Sequence, residues 1–242
     1  MTDPALRQRY LDVMGIQTWR QRSVSNRTEA PTAFEQGLRG ADASTPQVAV
    51  ASVDVAALDW EPLAAQVASC TRCVLHGTRT QTVFGVGDRR ADWLVIGEAP
   101  GADEDQQGEP FVGRAGQLLN AMLFAIGLAR EQVYIANILK CRPPGNRDPR
   151  PEEVVCCEPY LFRQIELIQP KIILAVGRIA AQNLLKTDTP IGKLRGQLHR
   201  FGAAGIPVVV TYHPAYLLRS PTEKRKAWDD LQFACAALRR AE

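Results

Sequence analysis

The chain has 242 residues, 45% of them hydrophobic, with 29 Lys and Arg against 26 Asp and Glu for a net charge of +3. That length and apolar content suit one sizeable core plus extra segments, and so small a net charge does not by itself specify a nucleic-acid partner. No apolar run is long enough to span a bilayer and the N-terminus lacks a signal-peptide pattern, so no membrane association is predicted and the cytoplasm is the expected compartment, where six cysteines suggest a metal or cluster site more than disulfides.

Residues 5–22 read as a short amphipathic helix with Leu6, Tyr10, Val13 and Met14 near one face, a candidate docking segment for a protein partner. Residues 23–57, rich in Ala, Ser, Thr, Gly, Gln and Pro, read as a flexible linker. Residues 1–57 are therefore expected to form a largely disordered extension and 58–242 a compact domain. Asp59 is suited to cap a helix running through Pro62 to Ala68. Cys70-Thr71-Arg72-Cys73 follows, a spacing that lets two thiolates face one metal centre and equally suits a zinc half-site or a redox pair. Gln81 to Gly87 reads as a strand and turn approaching the buried strand Trp93–Ile96.

A Gly-, Pro- and acid-rich loop, Gly97 to Asp105, leaves that strand and continues through Glu109-Pro110-Phe111-Val112-Gly113-Arg114 into a helix over Ala115–Leu128. Asp103 and Asp105 read as solvated. Val133–Leu139 is a second strand, and Lys140 to Arg150 a loop whose prolines and glycine forbid regular structure. Four basic residues against one acid make that loop a positive patch suited to phosphate. Pro151 opens a helix to Gln169 carrying Cys156 and Cys157; Lys171–Val176 is a third strand, followed by a helix over Arg178–Leu185. A basic loop, Thr187–Phe201, contains His199, read as structural or phosphate-facing. Pro207–Tyr212 is a fourth strand, ending at His213-Pro214-Ala215, and the last helix runs over Thr222–Arg240 with Cys235 as a small buried hydrophobe.

Strands alternating with helices predict a three-layer α/β/α fold around a central, mostly parallel, four-stranded sheet. Three strand ends then present Glu98, Asn137 and His213 on one edge, where open α/β sheets bind ligands.

Taken together and in this order, Gly97-Glu98-Ala99-Pro100-Gly101, Pro110-Phe111-Val112-Gly113-Arg114-Ala115-Gly116, Asn137 with Lys140-Cys141-Arg142-Pro143-Pro144, His213-Pro214-Ala215 and the four cysteines resemble the family 4 uracil-DNA glycosylases, the iron–sulfur branch of that superfamily. The match runs from about Leu58 to the C-terminus. Many relatives carry Gly where this chain has Ala99, and a methyl there narrows the pocket slightly. The resemblance implies release of uracil from DNA by hydrolysis of its glycosidic bond, leaving an abasic site, by a monomeric enzyme acting on uracil-containing DNA. It implies that Gly97, Glu98 and Ala99 line the pocket, that Phe111 stacks on a flipped base, that Asn137 reads uracil and that His213 stabilises negative charge on uracil O2. Either Glu98 or Glu104 orients the water.

The resemblance further implies a [4Fe–4S] cluster held by Cys70, Cys73, Cys141 and Cys157, where the ligand chemistry alone would suit tetrahedral zinc equally well. Cys157 lies sixteen positions after Cys141, the spacing that favours it over the adjacent Cys156. Lys140, Arg142, Arg147 and Arg219 are expected at DNA, and Leu217 as an apolar wedge filling the hole left by the flipped base. Two other readings stand beside this one: a protein of the same superfamily that binds or cross-links uracil-DNA without turnover, and a zinc-stabilised interaction domain.

Overall fold

A computed structural model describes residues 54–240. The expected helix over 5–22 and most of the linker lie outside them. Asp54 to Ala57, read as the end of the linker, belong to the ordered body: Val55–Ala57 form a 3-10 turn capped by Asp54, whose Oδ1 accepts from Ala56 N at 3.0 Å.

In chain order the regular elements are α1 (Trp60–Ala68), β1 (Val86–Gly87), β2 (Trp93–Gly97), α2 (Ala102–Gln107), α3 (Arg114–Ala125), β3 (Tyr134–Asn137), α4 (Pro151–Ile168) and β4 (Ile172–Val176). They continue with α5 (Arg178–Leu185), α6 (Ile191–Leu194), β5 (Leu198–Phe201), β6 (Ile206–Thr211), α7 (Pro214–Arg219) and α8 (Lys224–Arg239). The sheet has six strands in the order β1-β3-β2-β4-β6-β5. The four central ones are the expected parallel strands; β1 and β5 add short antiparallel edges. β5 was expected to be loop. Its alternating half-exposed residues and basic side chains carry none of the continuous apolar signal of a buried strand.

Side chains alternate across the sheet and so build two cores. Leu94, Ile96, Ala175 and Val210 face α1, α4 and α5; Trp93, Val95, Leu174 and Val209 face α3 and α8. Helix ends follow local chemistry. Asp59 Oδ1 accepts from Trp60 N at 2.8 Å to start α1, and α4 opens on Pro151 with Glu153 accepting from Arg150 N at 2.9 Å. Regular pairing in β3 stops at Asn137, two residues short of the expected end. Ile138 and Leu139 instead donate to Gly97 and Glu98 carbonyls at 3.0 Å each, tying the loop after β2 to the loop after β3.

Candidate active site

Parallel pairing sets Gly97 at the end of β2 directly beside Asn137 at the end of β3. α7 begins just beyond β6, with His213 as its N-cap residue. These three strand ends border one open cleft, lined by Glu98, Ala99, Phe111, Asn137, Asp148, His213, Tyr216 and Arg219 among others. The side chains expected from three separate strand ends and from the loop at Phe111 thus come together.

Asn137 is buried, and among the described residues its Oδ1 has no hydrogen-bond partner. An unpaired buried carbonyl oxygen is costly unless a ligand satisfies it. Gly97 is required beside it: a Cβ there would lie 2.4 Å from Asn137 Oδ1 and 2.6 Å from Phe111 Cζ. Phe111 has φ 55°, a left-handed conformation that a bulky residue rarely adopts and that marks stored strain. Its ring stacks on the His213 ring, with centroids 5.5 Å apart and planes at 29°.

His213 Nδ1 accepts from Ala215 N at 3.1 Å. That bond assigns the imidazole proton to Nε2, leaving a donor free. Desolvation, then the nearby Arg219, bring its pKa down to about 4, against a smaller opposing effect of Glu104. The ring is therefore neutral at pH 7.

The two glutamates that sequence alone left equivalent differ sharply. Glu104 Oε2 accepts from Gly101 N at 3.0 Å, and Oε1 accepts from Val112 N and Gly113 N at 3.0 and 3.2 Å, so both oxygens hold backbone. Burial first, then the Asp148 carboxylate, push Glu98 up to about 7, with Arg178 opposing. Asp105, expected to be solvated, is buried and accepts from Thr80 N at 2.9 and 3.1 Å, fixing the far end of the same loop.

Two residues expected at DNA are not on the surface. The Lys140 side chain is 1% exposed; Nζ donates to the Asn137 carbonyl at 3.1 Å and to Gln164 Oε1 at 2.6 Å. A lysine among prolines reads as a surface charge in sequence, but here the chain turns inward and a glutamine from α4 receives it. Leu217 is 1% exposed and packs in the core with Phe111 and Leu119. As the inward residue of a one-and-a-half-turn helix it cannot act as a wedge. Arg147 makes a bidentate pair with Glu153 at 2.5 and 2.9 Å, Arg142 Nε donates to Asn146 Oδ1 at 2.7 Å, and Arg219 is exposed at the cleft rim. His199 bonds the Leu194 carbonyl at 2.8 Å, a structural role.

Cys70, Cys73, Cys141 and Cys157 line a second, small space, with Cys156, Arg79 and Tyr160 also on its wall. Arg79 Nη1 donates to Cys141 Sγ at 3.1 Å and Lys140 N to Cys157 Sγ at 3.2 Å. Cys156 differs from its neighbour: its Sγ reaches the Arg72 carbonyl at 3.3 Å. Among the described residues no three His, Cys, Asp or Glu side chains are grouped closely enough to hold a metal ion. Arg79 and Asp148 are the contributors that sequence reading missed. Neither belongs to a motif, and each acts through a partner distant in the chain.

Residues 84–232 match the family model for the uracil DNA glycosylase superfamily. The chain is 48% identical over 173 residues to a type-4 uracil-DNA glycosylase of Archaeoglobus fulgidus, covering 69% of this chain and 87% of that protein. It is 41% identical over 180 residues to one from Pyrobaculum aerophilum, covering 72% and 92%, and 42% identical over 177 residues to one from Thermotoga maritima, also covering 72% and 92%. With the family model matching more than half of its length and these relatives aligned over most of theirs, the chain belongs to the uracil-DNA glycosylase superfamily, among the type-4 enzymes.

Proposed function

We propose that the protein hydrolyses the N-glycosidic bond of deoxyuridine in DNA, releasing uracil and leaving an abasic site without cutting the strand. The observation that carries this reading is Asn137, buried at the cleft with Oδ1 unpartnered. Uracil supplies what that oxygen lacks: N3–H donates to Oδ1 while uracil O4 accepts from the amide nitrogen. Cytosine reverses both polarities and would leave buried groups unpaired, which is how a site rejects an isostere. The target base leaves the duplex to reach the cleft, and its ring stacks on Phe111.

As the glycosidic bond lengthens, negative charge develops on uracil O2 and positive charge on the sugar. His213 Nε2–H donates to that oxygen, and a neutral imidazole keeps its proton while doing so. Glu98 orients the water and faces the oxocarbenium-like sugar, since Glu104 has both oxygens engaged in the loop. Arg142 and Arg219 contact phosphates; Lys140 and Leu217 do not touch DNA.

Cys70, Cys73, Cys141 and Cys157 would hold a [4Fe–4S] cluster, with Arg79 donating to the Cys141 sulfur and the Lys140 amide to that of Cys157. Four thiolates would suit one zinc ion equally well on ligand chemistry alone, and it is the resemblance to the iron–sulfur branch that favours the cluster. When bound, that group supplies a structural clamp between the first cysteine pair and the basic loop. The protein acts as a monomer.

The test is incubation of purified protein with single- and double-stranded uracil oligonucleotides, followed by alkali. Scission at uracil only after alkali is expected, and Asn137→Ala should lower release at least about 10²-fold. Substrate that stays alkali-stable with folded, brown protein would refute the enzyme; a heat-stable covalent adduct would support the cross-linking reading instead. Broad absorption near about 400 nm identifies the cluster, and a colourless zinc protein would overturn it.

A further inference from the structure

Phe111 is held in its strained conformation by a residue that no motif contains. Arg130, half-buried in the 3-10 turn before β3, donates from Nη2 to the Pro110 carbonyl at 2.6 Å and from Nη1 to the Phe111 carbonyl at 3.3 Å. The same Nη1 reaches Asn120 Oδ1 at 3.1 Å on α3, which fixes the guanidinium plane. From the other side, Glu104 takes the amides of Val112 and Gly113. The four-residue segment Pro110–Gly113 is therefore gripped by opposite charges, a guanidinium on its carbonyls and a carboxylate on its amides. The opposing glycine wall leaves no slack: a Cβ at Gly116 would fall 1.7 Å from the Phe111 carbonyl oxygen. A planar fork holds two successive carbonyls in a fixed relative geometry, which the rotatable donors of a lysine do not impose.

We propose that Arg130 is a positioning residue for base excision: it sets the height and tilt of the Phe111 ring against His213, and so the alignment of the flipped base with the groups that break its bond. This rests on the proposed glycosylase reading. Arg130 itself contacts no substrate. Its carbonyl grip replaces the hydrogen bonds that a left-handed, non-glycine residue in a loop would otherwise lack, and it makes one strained backbone conformation the only one available.

The consequence is specific. Removing the fork releases the Phe111 carbonyl but leaves Asn137, His213, Glu98 and the DNA-facing arginines in place, so chemistry suffers and binding does not. Arg130→Ala should lower kcat about 10²-fold, the scale on which small misplacements act, with KM for uracil-DNA changed by less than about threefold. Because Arg130 is half-exposed, free guanidinium at sub-denaturing concentration should restore part of kcat in Arg130→Ala, and tetramethylammonium at equal ionic strength should not. Arg130→Lys should fall between wild type and Arg130→Ala. Circular dichroism and the visible absorption of each variant report whether fold and cluster survive. If Arg130→Ala does not fold, Arg130→Lys and Asn120→Ala carry the test, the latter loosening the guanidinium without removing it and lowering kcat alone. Wild-type kcat in the folded variants, a loss confined to KM, or rescue by either cation alike would overturn the proposal. Uracil release by the wild type in the same assay separates this outcome from failure of the glycosylase reading, in which wild type and variants are all inactive.

Discussion

Glu98 offers the sharpest test of how the cleft works, because burial sets its proton affinity where activity can read it. Its carboxyl is pushed up to about 7, first by desolvation and then by Asp148. If the ionised form orients the water, kcat/KM rises with pH with unit slope up to about 7 and then levels. The ionised fraction is about one half at pH 7, one tenth at pH 6 and one hundredth at pH 5, so activity falls about fivefold and then about fiftyfold below its pH 7 value. His213, brought down to about 4, stays neutral throughout that range and contributes no limb of its own. The opposite sign holds for stability. A carboxyl whose folded pKa lies above its unfolded value stabilises the fold below the unfolded value, near 4.5, and that contribution is lost as pH rises through about 7. The loss is on the order of 1–3 kcal/mol once the solvent reaching the open side of the carboxyl is allowed for. Glu98→Gln should therefore abolish the acid limb, lower kcat by about 10²–10⁴, and melt at a higher temperature than wild type at pH 8 but not at pH 4. The assay is uracil release under kcat/KM conditions from pH 5 to 9, paired with thermal melts. A flat wild-type profile down to pH 5, or an acid limb that persists in Glu98→Gln, would refute the reasoning.

Gly97→Ala should lower uracil release at least about 10²-fold, because its Cβ would fall within 2.6 Å of both the Asn137 and Phe111 side chains; steady-state rates on a uracil oligonucleotide check it. Lys140→Met should cost about 1–3 kcal/mol by orphaning the Asn137 carbonyl and Gln164 Oε1, read as a lowered melting temperature, yet leave the salt dependence of DNA binding unchanged. Arg219→Ala, by contrast, should reduce that salt slope by about 0.9 in a fluorescence titration. Cys157→Ser should lose most of the visible absorption and Cys156→Ser should keep it, since Cys156 is turned to the Arg72 carbonyl; anaerobic spectra distinguish them.

The central strands were legible because each is a short, continuous apolar run with no polar face to hide. Glu98, Asn137 and His213 were legible because strand ends in a parallel sheet share one edge, so chain order alone predicts their proximity. The edge strand β5 was not, because half-exposed residues carry no apolar run. Lys140 and Leu217 were misread for a common reason. Which way a side chain points in an irregular loop or a six-residue helix depends on what packs against it, and here Gln164 and the α3 core come from residues far away in the chain. The split between Glu98 and Glu104 was equally invisible, since it depends on which backbone amides fold back to meet which carboxylate.

Lys140 also links the cysteine site to the proposed base-reading site. Its amide donates to Cys157 Sγ while its ammonium holds the carbonyl of Asn137, so three residues of backbone join a sulfur on one side to the proposed uracil reader on the other. A buried ammonium with a neutral partner and a carbonyl is expensive, and burial brings its pKa down to about 8. A surface lysine would serve phosphate binding at no such cost. Its place in the interior is accounted for by what it touches: it turns the β3 end and the second cysteine pair into one rigid unit, whose carbonyl end sets the Asn137 side chain against Gly97 and Phe111. The proposed clamp on the sulfurs and the proposed selectivity for uracil then form a single mechanical feature, and loss of a group held by the cysteines should loosen Asn137 before it loosens Phe111, which Glu104 and Arg130 hold independently.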